Sequence, residues 1–462
     1  MADLMKVDFV TGMRRMFYAV SVNESSFKDP EDVPQYINEA TPFFNIFMLM
    51  ELVISFLMQD GKFRMNDAFT SISAGMFSRI PLIFLRSVTM AGYIWVHENY
   101  CIYELPWNSP WTWWIGFLAM DMAYYWFHRF AHEVNFLWTF HQTHHSSEDY
   151  NFSTALRQSA MQVHTSWVFY LPMAFFIPPS IFLVHQELNT LYQFWIHTQY
   201  VRTLGPLEYI LNTPSHHRVH HGRNAYCIDK NYAGTLIIWD RMFGTFVKEG
   251  DDIAYGLTHP INTFEPFKVQ FGYSQYLIDR FFNLPGFVNK IKNFLYGPGW
   301  LPGKPRTGDI NDIPVVEKPV KRYNVELPTW LNMYVLIHFL LYFAGYQTLM
   351  NKKGTLSQTS VLVFAGYALF CLSCFGRLFD NSTSSKYFEL TRCVLFMMGE
   401  IVLCQLGYYG DDKIRPTFMY GLQGVFAFSI AIWVAMIVKA GNRAEEISHL
   451  DLSKNGKRRK GD

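Results

Sequence analysis

Apolar residues gather along this chain in windows of about 17 to 25, the length that crosses a bilayer as one helix. The clear windows lie at about 43–59, 80–97, 330–350, 358–376, 391–409 and 417–439. A shorter, Trp-rich window at about 111–127 runs straight into His128. Two more apolar stretches, about 163–185 and 188–204, are interrupted by Pro172, Pro178 and Pro179. They predict a hairpin that enters the membrane and returns to the same side. The pattern as a whole predicts an all-α, polytopic transmembrane protein with about nine spans or hairpin segments.

Polar residues take over from about Gly205 to Leu327, with turns at Tyr296-Gly297-Pro298-Gly299 and Pro302-Gly303-Lys304-Pro305. This segment is expected to form a helical cap, ordered around His217 and looser after Pro285. The chain then divides into an N-terminal arm (1–40) with the character of an interfacial helix, a membrane domain with its histidine-rich cap (41–325), C-terminal transmembrane helices (326–440) and a basic tail (441–462). Met1 to Val20 mixes Asp3, Lys6, Asp8, Arg14 and Arg15 with apolar residues, which is no cleavable signal peptide. Arg443, Lys454, Lys457, Arg458, Arg459 and Lys460 place the tail in the cytosol by the positive-inside rule. Counting back puts the histidine-rich segments in the cytosol and the N-terminus in the lumen. Lys352, Lys353, Lys413 and Arg415 oppose that orientation. Of the glycosylation sequons, Asn23 would be lumenal, and Asn151 and Asn381 cytosolic. Arg459-Lys460, close to the end, reads as a dilysine-type retrieval signal or as a plain basic tail.

Charge adds little. There are 39 basic and 38 acidic residues, a net charge of +1, so no nucleic-acid partner is implied. The six cysteines show one close pair, Cys371 and Cys374, inside an apolar run. They read as reduced, buried residues.

The histidines change the picture. Twelve of sixteen fall between His128 and His221, where even spacing would put about three. They recur at helical spacing: His128 and His132; His141, His144 and His145; His217, His220 and His221. Residues three and four apart share a helix face, so each group can present its imidazoles to one metal centre. Eight imidazoles supply two metals with positions left open. Glu-x-x-His pairs of the ferritin-like kind are missing from this region, as is a His-Glu-x-x-His motif. Two irons in an all-nitrogen shell fit best, with two zincs as the alternative. His197 is a further candidate ligand, and His216 lies off the ligand face, beside it. His164 and His185 are open between hairpin packing and the site; His97, His259, His338 and His449 read as structural. Asp121, seven residues before His128 and at membrane depth, is expected to pair with the site. Asp240 is a second such carboxylate, or else pairs with Arg241. Glu133 is either solvated or faces the site.

These motifs resemble the membrane fatty acid hydroxylase superfamily, which includes sterol desaturases and C4-methyl oxidases. Tyr124-Tyr125-Trp126-Phe127-His128-Arg129, the stretch His141 to Asn151 and the stretch Asn212 to Asn224 narrow the likeness to its ether-lipid-cleaving branch. So do Thr258 to Pro266 and Gly297-Pro298-Gly299-Trp300. The resemblance runs from about 35 to 305; beyond about 320 it is one of hydropathy. It implies a non-haem di-iron, tetrahydrobiopterin-dependent enzyme of the endoplasmic reticulum membrane, using dioxygen to cleave the ether bond of alkylglycerols and lyso-ether lipids. It also implies that the eight grouped histidines are iron ligands and that Glu133 belongs to the pterin site. Two other readings use the same residues. One is an acyl-chain or sterol hydroxylase or desaturase fed by a separate haem carrier. The other is a metal transporter, which histidines clustered at the ends of spans disfavour.

Overall fold

The structure, a computed structural model, describes residues 7–250, 252–407 and 414–458, without the side chains of 85–89, 414–417 and 441–458. The retrieval-type Arg459-Lys460 and the side chains of Lys413, Arg415, His449 and the basic tail lie outside the described residues. The described residues are helical, with no strand and two isolated antiparallel bridges, Leu211–Leu236 and Gly222–Tyr255. The chain divides into two compact units, Met1–Asn324 and Val325–Asp462.

In the first unit the helices of six or more residues are α1 (Phe9–Met16), α2 (Thr41–Met58), α3 (Met65–Arg79), α4 (Pro81–Tyr100), α5 (Pro110–Glu133), α6 (Asn135–His145), α7 (Pro179–Trp195), α8 (Pro214–His220), α9 (Ile238–Phe243), α10 (Pro266–Asn283) and α11 (Phe287–Leu295). Proline opens α4, α5, α7, α8 and α10, where its missing N–H costs nothing. α5 and α6 are separated by the single extended residue Val134, so the chain turns sharply and lays the second histidine group beside the first. The N-terminal arm is packed into the protein: Met16 and Tyr36 are buried with Val184, Leu188 and Leu191 of α7.

The expected hairpin takes a different form. Residues 162–175 make a short α-turn and a 3₁₀ segment, and the break falls at Phe176–Pro178. α7 then crosses both apolar windows. The paired prolines, not the change in polarity near residue 186, decide where the helix starts. The polar segment is also more ordered than expected, because α11 follows Pro285.

The second unit holds α12 (Thr329–Lys352), α13 (Gln358–Phe379), α14 (Ser385–Gln405) and α15 (Ile414–Arg458). Its apolar interior contains a closed polar network. Arg392 donates to Glu389 at 2.8 and 2.5 Å and to His338 Nδ1 at 2.9 Å, while Tyr334 donates to Glu389 at 2.6 Å. His338 is thereby structural. A buried ion pair is tolerated only when its remaining polar atoms are satisfied. Among the described residues, four helical stretches are long and apolar enough to cross a membrane: Pro30–Met58, Thr329–Lys352, Gln358–Phe379 and Phe418–Ala440. The six cysteines are free; Cys404 is exposed, against expectation. Of the sequons, Asn151 is buried as a helix cap, its side chain accepting from Ser153 N–H at 3.0 Å.

Candidate metal centre

Nine buried histidines meet in two sets. Ligand nitrogens of His128, His132, His141, His145 and His220 lie within 4.8 Å of one another, and so do those of His144, His197, His217 and His221. The sets are adjacent: the rings of His145 and His221 stack at 4.4 Å. His197, expected as a further ligand, joins the second set.

The sequence groups, however, do not each serve one centre. His141 and His145 go one way and His144 the other; His217 and His221 go one way and His220 the other. The reason is angular. At about 100° per residue, positions i and i+4 differ by about 40°, whereas i+3 lies about 60° to the opposite side. Each i, i+4 pair therefore stays together, and the i+3 histidine crosses to the other set.

Hydrogen bonds at the far ring nitrogens fix the tautomers. His128 Nδ1–H donates to the Tyr232 carbonyl at 2.7 Å, His144 to Arg157 at 3.1 Å, His197 to Gln193 at 2.7 Å and His220 to Lys230 at 3.0 Å. His141 Nδ1 meets the side-chain oxygen of Gln162 at 3.0 Å. A carbonyl only accepts, so each of these rings carries its proton at Nδ1 and turns an Nε2 lone pair inward. Nε2 of His128 and His141 are 2.9 Å apart, and Nε2 of His144 and His197 are 3.3 Å apart. Two lone pairs at that distance repel unless a cation lies between them. Nitrogens about 2.1 Å from a shared ion would be spaced by roughly 3 Å. His132 Nε2, His220 Nε2 and His221 Nε2 are buried with no hydrogen-bond partner, as metal-ligating nitrogens would be. The residues fit a pair of metal ions. Burial pushes the pKa of His141 down to about 4 and that of His220 to about 3, so both are neutral and ready to ligate at neutral pH.

The expected carboxylates stand one layer further out. Asp121 contacts none of the nine rings. Its oxygens accept from Thr235 N–H (2.7 Å), Leu236 N–H (2.9 Å), the Trp239 indole (2.9 Å) and Asn189 (2.8 Å). It pins the 234–239 segment to α5 and α7. A Cβ on Gly234 would fall 2.9 Å from Asp121 Oδ1, so only glycine allows that approach. Asp240 is paired neither with a ring nor with Arg241. It accepts from Tyr232 N–H and Ala233 N–H, both at 2.8 Å, and from Thr245 at 2.7 Å; it thereby holds the residue whose carbonyl orients His128. Burial raises the Asp240 pKa to about 6. Glu133 bonds Arg129 at 2.8 Å and Arg306 at 3.1 Å. Asp121 therefore anchors the 235–239 segment and Asn189, and Asp240 anchors the Tyr232–Ala233 backbone, neither touching a ring.

Several supporting residues carried no sequence signal. Gln162 and the carbonyl of Gln193 hold ring nitrogens. Arg157, whose carbonyl takes His144, is itself held by a buried ion pair with Asp67 at 2.8 Å. Asp229 approaches His132 Nδ1 at 3.8 Å. His216 lies outside both sets, its ring 5.5 Å from Phe246. His185 is bonded to the Tyr18 hydroxyl at 2.7 Å and packs on Trp113, so the choice left open by the sequence falls to packing. His164 also stands apart. His97 bonds the Ala174 carbonyl at 2.8 Å and His259 lies beside the Thr258 hydroxyl. Replacing Gln162 with Leu removes the group that sets the His141 tautomer; metal affinity should fall about 10- to 100-fold, read by competition with a chelator. Unchanged affinity would remove Gln162 from the centre.

Nine inward-facing imidazoles in an all-helical chain with membrane-length helices define a membrane hydroxylase of the fatty acid hydroxylase kind. The fatty acid hydroxylase family model matches residues 113–245, which hold all nine. A second family model, the alkylglycerol monooxygenase C-terminal domain, matches 331–418. Alkylglycerol monooxygenase of Xenopus tropicalis is 53% identical over 392 residues, covering 85% of this chain and 88% of that protein. Those of Danio rerio and Homo sapiens are each 50% identical, over 432 residues (93% and 95%) and 424 residues (91% and 94%). This chain belongs to the alkylglycerol monooxygenase family. It is an oxidoreductase, a monooxygenase. No solved structure matches it.

Proposed function

We propose that the chain cleaves the ether bond of alkylglycerols and lyso-ether lipids, holding two irons and drawing electrons from tetrahydrobiopterin. The observation that carries this reading is the pair of histidine sets, five and four, with Nε2 lone pairs facing each other. His128, His132, His141, His145 and His220 would hold one ion; His144, His197, His217 and His221 would hold the other. Bound iron supplies the reductive activation of dioxygen. Bound pterin would supply the two electrons and two protons that take one oxygen atom to water while the other is inserted at the ether-bearing alkyl carbon. The resulting hemiacetal collapses to a fatty aldehyde and glycerol.

The chain's own residues bind and orient. A cavity of about 450 Å³ lies between α2, the end of α7 and the 198–211 segment, within the range of about 300–1,000 Å³ usual for small-molecule sites. Phe47, Met50, Ile54, Trp195 and Leu204 line it, and Trp195 and Thr198 flank His197 in the chain. Its one carboxylate, Glu51, is occupied by the Thr198 hydroxyl at 2.7 Å and the Phe152 N–H at 2.6 Å, which suits an alkyl chain. Glu133 is assigned to the pterin site, where Arg306, the more exposed of its two partners, is the one a ligand would displace. The protein is placed in the endoplasmic reticulum membrane with this site facing the cytosol. Residues 41–325 form the catalytic membrane domain and 326–440 its lipid-contacting companion, with about nine spans or re-entrant segments in all.

Purified protein given alkylglycerol, oxygen and tetrahydrobiopterin should release fatty aldehyde, with about two irons per chain by metal analysis. Turnover supported by a haem electron carrier and indifferent to pterin would favour the acyl-chain or sterol hydroxylase reading instead. Zinc in place of iron would end the redox mechanism.

A further inference from the structure

Helix α11 is amphipathic the wrong way round for a helix on a water-facing surface. Its polar Asn293 is buried: the side-chain amide donates to the Leu277 carbonyl at 3.1 Å, and its backbone carbonyl accepts from Asn135 at 2.9 Å. Its apolar residues Phe287, Val288, Ile291 and Leu295 point outward, Phe287 with 74% of its surface exposed. Helix α10, the other arm of the hairpin, continues the same stripe with Phe271 and with Phe282, which is 70% exposed. On α10 these two residues lie 11 apart, about 20° from the same direction at 100° per residue. Gln275 and Asp279, bonded to each other at 2.9 Å, are exposed beside them; the unbroken apolar face is that of α11, and such a face is costly in water and marks a surface that something covers.

Three observations point to lipid as the cover. The first is level. α10 begins against Phe77, with Phe267 at 5.0 Å, four residues before Pro81 opens the window at 80–97. α11 ends where the Tyr296 carbonyl accepts from Asn135 N–H at 2.8 Å, about 12 Å of helix beyond the window at 111–127. The hairpin thus sits on the side where two expected spans end. The second is charge. Lys290 lies over the Phe281 ring at 5.1 Å and Lys292 over the Tyr296 ring at 5.4 Å, ammonium groups on either flank of the apolar face. That is how lysines reach lipid headgroups from a helix lying in the interface. The third is the inversion itself, since Asn293 on the polar side of α11 is buried against the protein while Phe287, Val288, Ile291 and Leu295 are exposed.

We propose that the α10–α11 hairpin lies in the lipid–water interface as an in-plane foot, its apolar stripe dipping among the acyl chains. The inference takes the windows at 80–97 and 111–127 as membrane segments, and it concerns lipid contact, not catalysis. α6, which carries three of the nine histidines, packs on this hairpin through Asn135. The foot therefore fixes how far the histidine sets stand from the bilayer, where an amphiphilic substrate must be met.

The test places a cysteine at Phe287→Cys, Ile291→Cys or, as a water-exposed control, Glu317→Cys in the full chain. Each carries an environment-sensitive fluorophore, in nanodiscs of phosphatidylcholine with or without 10% doxyl-labelled lipid, and signal from the unaltered chain is subtracted. Blue-shifted emission and at least twofold stronger lipid quenching at 287 and 291 than at 317 support the foot. Water-like emission at 287 and 291 overturns it. So does shielding there without lipid quenching, which would mean that a second copy or another protein covers the stripe. The measurement needs no turnover, so failure of the proposed reaction would leave it standing and its own failure would not touch the reaction. A variant that does not accumulate is replaced by Val288→Cys on the same face.

Discussion

His197→Ala should lower bound iron from about two ions per chain to about one and reduce ether cleavage at least about 100-fold, beyond the upper end of what losing an orienting partner costs. His197 reaches His144 Nε2 at 3.3 Å and His217 Nε2 at 3.1 Å, so its ring closes the four-histidine set. The other set keeps its five imidazoles, and the ion it holds should stay. Metal analysis of the purified variant beside the unaltered chain reads this directly. Two retained irons with normal turnover would take His197 out of the ligand set and reduce the centre to the eight histidines visible as groups.

The second large effect is one of stability. Asp121→Ala strands two backbone N–H groups and the Trp239 indole in the interior and removes a partner of the Asn189 amide. Each buried donor left unpaired costs about 1–3 kcal/mol, so about 4 kcal/mol or more is expected. That is comparable with the whole folding margin of many domains, roughly 5–15 kcal/mol. The damage should reach the metal centre as well, because the loosened segment follows Tyr232, whose carbonyl holds His128. Thermal unfolding in detergent should show a large drop or little folded protein at all. Asp121→Asn, which keeps one acceptor oxygen, should be milder. Equal melting temperatures for Asp121→Ala and the unaltered chain would contradict the anchoring role.

The histidine sets were half legible in advance. Spacing at i, i+3 and i+4 is a local property of a helix and shows in the sequence whatever the rest of the chain does, which is why eight candidate ligands stood out. Their division follows the same periodicity, i with i+4 and i+3 apart, but which groups share a centre depends on how the helices pack. His197 carried no spacing signal; it reaches the site only because α7 ends there. The aspartates show the opposite case. A carboxylate at membrane depth announces that it must be paired, and Asp121 is paired with four donors, but nothing in the sequence says that three come from a segment more than a hundred residues away and the fourth from Asn189 of α7.

The amino-acid sequence by itself determined that the protein is helical and apolar in long windows, and that it carries an imidazole-rich site of the hydroxylase kind. The helices and the imidazole-rich site rest on composition and on periodicity within single helices; its hydroxylase kind rests on the resemblance of its motifs. Only the tertiary structure decided the five-and-four partition, the tautomers set by Tyr232, Arg157, Gln193 and Lys230, the remote anchoring by Asp121 and Asp240, and the outward apolar stripe of α10 and α11. Some of these join distant segments, as Asp121 does with 235–239, and others are local, as His197 is with Gln193; all are fixed by packing and hydrogen-bond satisfaction.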